Sequence, residues 1–152
     1  MSSKNPLTKE ERSWILYDVA NSAFTLIVTT TFMPMFFKDY ASAGVDSATS
    51  TATWAFTVSA SSLVLAFLSP ILGALADYRG LKKRFWGVAI VAGVAFGAGL
   101  MMIGRGQWML ATILYVGASV AYTASNTFYD AFLPDVASPE RMDRISSLGY
   151  GW

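Results

Sequence analysis

The sequence has no cysteine and no histidine. Thiol nucleophiles, disulfides, imidazole bases and the usual zinc ligands are therefore excluded together. Charge is scarce too. Asp, Glu, Lys and Arg supply 14% of the residues, against about a quarter in an ordinary soluble domain. A formal net charge of +1 gives a nucleic-acid partner no electrostatic support. The carboxylates, serines and tyrosines that remain are scattered and have no histidine partner. The chain is read as no enzyme, with no catalytic residue, no metal and no cofactor.

What is present is apolar length. Hydrophobic residues make up 54% of the chain, and the charges fall in short clusters between long apolar runs. A helix crossing the hydrocarbon core needs about 20 mostly apolar residues. Four stretches qualify, at about 13–37, 53–76, 85–103 and 108–132, so an all-α membrane protein with a lipid-bilayer partner is predicted. The runs are too long for strands and lack the alternation of a membrane barrel. Core helices of soluble bundles are seldom apolar over such lengths. Nor does the first run read as a cleaved leader. Glu10 and Glu11 precede it, Asp18 and Asn21 interrupt it, and no small-residue cleavage site follows a short apolar core.

Lys and Arg set the direction. Lys4, Lys9 and Arg12 lie in a tail at 1–12, Arg79, Lys82, Lys83 and Arg84 in the second connection, and Arg141 and Arg144 near the end. Four crossings put all of these on one side and leave Lys38 and Arg105 on the other. The positive-inside rule then makes the N-terminus cytoplasmic, in a multi-pass protein expected in the plasma (inner) membrane. Trp14, Tyr40, Trp54, Trp86 and Trp108 lie near span ends, as interfacial aromatics do. Thr8 and Glu11 stand at capping-box spacing behind Pro6, which marks a helix start; the alternative is an uncapped polar tail.

Short links at Arg79-Gly80 and at 104–107 force antiparallel neighbours. The first external connection, roughly 39–53, is rich in Ala, Ser and Thr and is expected to be a mobile loop. Small residues favour close packing in lipid. Span two offers Ser59, Ser61, Ser62, Ser69 and Gly73; span three offers Gly93 and Gly97, with Gly99 beyond. Pro34 and Pro70 each remove a backbone donor and can kink their helices.

Two spans carry polar stripes. Asp18, Asn21, Ser22 and Thr25 share one helical face, extended by Thr29. Tyr122, Asn126, Tyr129 and Asp130 share another, continued outward by Tyr115 and Ser119. A carboxylate deep in a bilayer costs about 2.5–3.5 kcal/mol on insertion scales, so it persists beside water or a partner. These faces either line a solute cavity or clamp helices together, and for Asn21 and Asn126 inter-helix hydrogen bonding alone would suffice. The segment from Gly73 to Arg84 is the most specific. Gly73 permits close approach and Gly80 a tight turn. Asp77 ends span two, where the helix dipole disfavours an anion, and Lys82, Lys83 and Arg84 open span three. This segment is read either as a solvated turn or as an ion-pair latch that breaks when helices move.

That loop resembles the loop motif of the major facilitator superfamily. Tyr17-Asp18-Val19-Ala20-Asn21-Ser22-Ala23-Phe24 resembles the first-helix signature of one branch, the vacuole-effluxer (autophagy-related) transporters. Asn126-Thr127-Phe128-Tyr129-Asp130-Ala131-Phe132-Leu133-Pro134 is similar to the end of that branch's fourth helix, and 144–152 to the beginning of its fifth. The resemblance covers nearly the whole chain. It implies a twelve-helix fold with a central cavity, in which spans one and four are inverted-repeat counterparts. It also implies alternating access, and the fungal members imply amino-acid export. Span four has no Arg where many proton-coupled relatives carry one.

The expectation is a secondary active transporter of a small solute, with amino-acid efflux as one version. Residues 13–152 would form part of its N-terminal half, with 145–152 starting a fifth span and further C-terminal helices of the same transporter as partner. Asp18, Asn21, Ser22, Thr25, Tyr122, Asn126, Tyr129 and Asp130 are the expected cavity residues. Gly73, Asp77, Arg79, Gly80, Lys82, Lys83 and Arg84 are the expected gating loop. Alternatives are a short dimeric four-helix exporter, although no span contains the Glu such exporters use, and a non-transporting membrane scaffold or subunit.

Overall fold

The computed structural model describes residues 6–78 and 80–150. Lys4, Arg79, Gly151 and Trp152, all drawn on in reading the sequence, lie outside the described residues. Four helices are long and apolar enough to cross a membrane: Lys9–Ala41, Ser47–Ala76, Lys82–Leu100 and Trp108–Val136. Among the described residues there is no strand.

The first span begins with α1 (Lys9–Phe24), and its start is the expected capping box. Thr8 Oγ1 accepts from the Glu11 amide at 3.2 Å, and Glu11 Oε2 accepts from the Thr8 amide at 2.8 Å. Beyond α1 the backbone widens into a π-helix over Thr25–Phe32, tightens through α2 (Met33–Phe36), and widens again over Phe37–Ala41. Pro34 lies inside this continuous helical run, where it removes one backbone donor.

The expected mobile loop at 39–53 is much shorter than its composition suggests. The first span runs to Ala41, and after the short turn at 42–46 α3 (Ser47–Ala76) begins, with Asp46 as its N-cap. Asp46 Oδ1 accepts from the amides of Ala48 and Thr49, which lets the Ser/Thr-rich stretch enter the helix. Pro70 sits inside α3. Gly80, with φ at +92°, turns the chain into α4 (Lys82–Leu100). Gly106, with φ at +81°, leads to α5 (Trp108–Asp130) and donates its amide to Tyr40 O at 3.1 Å, tying the link before α5 to the end of the first span. The short α6 (Leu133–Val136) and α7 (Pro139–Tyr150) follow. The expected start of a fifth span thus falls within a helix that begins earlier, and that helix packs on α1.

Little hydrophobic force holds helices together in lipid, so fit and hydrogen bonds decide the packing. At the N-terminal end of the bundle, Trp14 stacks on Tyr129 with ring centroids 4.6 Å apart. The Tyr129 hydroxyl donates to Trp14 O at 2.7 Å, and Trp14 Nε1 donates to Tyr129 O at 3.4 Å. Ile145 of α7 completes this core. At the other end Phe37, Ala41, Ile103 and Ala111 pack with Trp54. Of the span-three glycines expected to allow close helix approach, Gly99 does so most tightly, and Gly117 of span four adds a contact the sequence reading did not name. A Cβ at Gly99 would lie 3.1 Å from Leu114, and one at Gly117 would strike the Phe96 ring. A Cβ at Gly93 would be in ordinary contact with Ala121, and one at Gly97 would meet nothing within 4 Å, because both residues border a cavity.

Candidate functional site

The two predicted polar stripes meet. The Asn21 side-chain amide of α1 donates to Asn126 Oδ1 of α5, and the Thr25 and Tyr122 hydroxyls bond to one another. Tyr122 also donates to Asn21 O at 3.3 Å. A second polar link joins spans two and four, where Thr57 and Thr112 hydroxyls lie 3.0 Å apart. The sequence reading missed it, because Thr57 falls in a Thr- and Ser-rich stretch and Thr112 lies near the start of α5.

Beside this seam lies a cavity of about 810 Å³ walled by all four spans. That volume falls within the range of small-molecule sites. Asn21, Thr29, Ser61, Ser62, Ser119 and Tyr122 give its wall polar points; apolar and aromatic side chains supply most of the rest. Among the described residues, no Asp, Glu, Lys or Arg lines it.

Of the eight residues expected there, Asn21 and Tyr122 reach the wall. Thr25 and Asn126 lie in the seam, and Tyr129 is held against Trp14. Ser22 is half-buried away from the wall. Asp18 turns the other way. It is 5% exposed, its Oδ2 has no hydrogen-bond partner, and a Cβ at Gly149 of α7 would come within 3.0 Å of that oxygen. Asp130 is exposed at the last residue of α5.

The loop residues also divide. A Cβ at Gly73 would meet open space, so no close approach occurs there among the described residues. Asp77 is exposed, and the described residues offer its carboxylate no ion pair. Gly80 makes the expected turn. Lys83 and Arg84 are exposed, whereas Lys82 reaches across to span four. Its ammonium donates to Ala131 O at 2.8 Å and to Asp135 Oδ2 at 2.9 Å. A cation is favoured there, at the C-terminal end of α5.

A second ion pair was not anticipated. Arg141 Nη2 of α7 lies 2.9 Å from Glu11 Oε2, and Glu11 is 2% exposed. Among the described residues no group of three His, Cys, Asp or Glu comes together to hold a metal.

The family model described as vacuole effluxer Atg22 like matches residues 43–147. The Bacillus subtilis (strain 168) protein called uncharacterized MFS-type transporter YxiO is 46% identical over 145 residues, covering 95% of this chain and 34% of that relative. The chain therefore spans about a third of the length of the curated relative it matches. No solved structure matches the chain. The family match extends over most of the chain, including the loop after span two and the end of span four, and the chain belongs to the vacuole-effluxer Atg22-like family of major facilitator superfamily proteins.

Proposed function

We propose that these four spans form part of an alternating-access transporter that moves a small solute across a bilayer and carries out no chemical step on it. The N-terminus lies in the cytoplasm, as the distribution of Lys and Arg favours, and the protein in the inner (plasma) membrane. The observation that carries this reading is the seam joining Asn21 to Asn126 and Thr25 to Tyr122, beside a cavity of about 810 Å³. Inter-span hydrogen bonds in lipid average about 0.6 kcal/mol each. A seam built from them can open and reform as spans one and four move, which a packed apolar contact does less readily. The further helices of a transporter about the length of the relative would close the cavity on its remaining side. Amino-acid efflux is one version of this reading, carried by the family alone.

The test is access of water to the wall. The chain contains no cysteine, so single cysteines introduced at Ser62 and Ser119 report without background. Both should react with a membrane-impermeant maleimide in sealed vesicles. A cysteine at Val88, exposed within the apolar α4 and away from the wall, should not. If Ser62→Cys and Ser119→Cys prove as inert as Val88→Cys, the transport reading is overturned.

A further inference from the structure

We infer that span one opens and closes the cavity through its own middle: the stretch at 25–36 turns between two fixed ends and swings Phe32 and Phe36 across the wall. This rests on the transport reading of the same cavity and names its moving part. Three observations lead to it.

The first is hydrogen-bond register. An α-helix bonds each amide to the carbonyl four residues back, whereas a π turn reaches five back and seldom lasts beyond one turn. Span one has π register over Thr25–Phe32 and again over Phe37–Ala41, with α2 between them. Three side chains keep the α register from running through. The Thr30 and Thr31 hydroxyls both donate to Leu26 O, where they compete with the backbone. Pro34 has no N–H to bring to Thr30 O, its partner in an α register. Neither register satisfies this stretch fully, which brings the two close in free energy.

The second is anchorage. Toward α7, Trp14 and Ile15 are buried in the core with Tyr129 and Ile145. At the other end Phe37 and Ala41 are fully buried with Ile103 and Ala111. Of the residues at 25–36, only Met33 is buried, and the Thr25–Tyr122 bond ties the stretch at its edge. A π turn holds one residue more than an α turn. Passing that surplus from one side of α2 to the other turns α2 by one residue's step, about 100°, while both anchors stay in place.

The third is placement. Val28, Thr29, Phe32, Met33 and Phe36 all line the cavity. The Phe32 and Phe36 rings stack with centroids 5.9 Å apart, and Phe36 stacks on Tyr40 at 5.4 Å, so a ladder of rings runs from the wall to the end of the span. A turn of α2 breaks this ladder and carries Phe36 off the wall. The path that the rings cover is then open.

Distances between paired spin labels, measured by electron resonance on the chain in lipid nanodiscs, test this. Labels on Met35→Cys and Val88→Cys span the turning stretch, and labels on Leu16→Cys and Met109→Cys span fixed parts; all four side chains are exposed. The first pair should show two distances and the second pair one. Pro34→Ala restores the missing amide donor and should leave the first pair with one distance. Amide hydrogen exchange of the unlabelled chain keeps the proposal open to refutation if a labelled variant does not fold. The amides at 27–31 should exchange about tenfold or more faster than those at 117–121 in the middle of α5. A single distance for Met35 with Val88 overturns the inference, as do two distances in both pairs, two distances that persist in Pro34→Ala, or exchange as slow at 27–31 as at 117–121. Each of these leaves the transport reading standing so long as Ser119→Cys is labelled from water; a dry cavity removes both.

Discussion

The first and fourth spans touch in two regions built on opposite principles. At the N-terminal end, Trp14, Tyr129 and Ile145 interlock, paired backbone–side-chain hydrogen bonds join Trp14 to Tyr129, and Glu11 and Arg141 form an ion pair at the edge of this core. One turn and more further along, the same two spans meet through uncharged hydrogen-bonding side chains, and a cavity opens beside them. The first region is aromatic, charged and held by α7. The second has no formal charge, and its glycines border open space. A transporter needs both kinds of contact: one that fixes which helices move together, and one weak enough to separate around a solute. The contrast implies that substitutions at the first region change stability, whereas those at the second change occupancy and access with little effect on folding.

The largest effect should come from the ion pair. Removing Arg141 takes the counter-charge from Glu11, which is 2% exposed while Arg141 is 24% exposed, and stranding one partner of such a partly buried pair costs up to about 3 kcal/mol. Arg141→Met should therefore lower the thermal midpoint in nanodiscs, followed by near-ultraviolet circular dichroism of the Trp14 region. Glu11→Gln with Arg141→Met should recover most of the loss, because no charge is then stranded. A double variant as unstable as the single one would mean that packing, and not charge, holds α7.

Gly149 and Gly97 give the next test. A Cβ at Gly149 would lie 2.8 Å from Trp14 and 3.0 Å from Asp18 Oδ2, whereas one at Gly97 meets nothing within 4 Å. Gly149→Ala should destabilise by about 2 kcal/mol through overpacking. Gly97→Ala should be neutral or slightly stabilising, since Ala is the better helix former. Equal effects at the two positions, in the same thermal assay, would remove the distinction between the regions.

Apolar length made the four spans legible, and helical spacing made the two polar stripes legible. Both are properties of composition and period that survive without knowledge of neighbours. Which way each polar group points was less accessible. Asp18 and Asn21, three residues apart on one helix, differ in direction by about 60°. That is enough to turn Asp18 toward α7 while Asn21 meets Asn126. The Glu11–Arg141 pair joins positions 130 residues apart, and each taken alone reads as a capping residue or an orienting charge. The π-helical stretches are a change of hydrogen-bond register that Thr- and Phe-rich sequence does not announce. The short first loop was legible in principle, because Asp46 ahead of Ser47 is an N-cap signal, but Ala, Ser and Thr masked it.

A smaller effect belongs to the seam. Asn21→Ala and Asn126→Ala should each destabilise by about 0.6 kcal/mol, and by no more than about 1.7. The double variant should cost less than their sum, which a double-mutant cycle reads as coupling. A coupling of zero would mean that the two amides are not partners in the bilayer, and the seam would no longer differ in kind from the core beneath it.

The smallest effect lies outside both regions and checks that the end of the bundle opposite α7 is held by local caps rather than by charge pairing. Hydrogen bonds from the Thr49 side chain and backbone, together with the Ala48 amide, hold the Asp46 carboxyl below the usual aspartate value. A value lowered on folding contributes stability that is present above the unfolded value, about 3.9, and is lost as pH falls through the folded one. The backbone amide resonances of Ala48 and Thr49 should therefore shift on acidification with a midpoint below the unfolded value, as the first turn of α3 loosens. Asp46→Asn keeps the cap without a titrating group, so the same resonances should stay in place. A midpoint at or above the unfolded value would show that the carboxylate gains nothing from these hydrogen bonds, and that this end of the bundle is held by the Tyr40 to Gly106 contact instead.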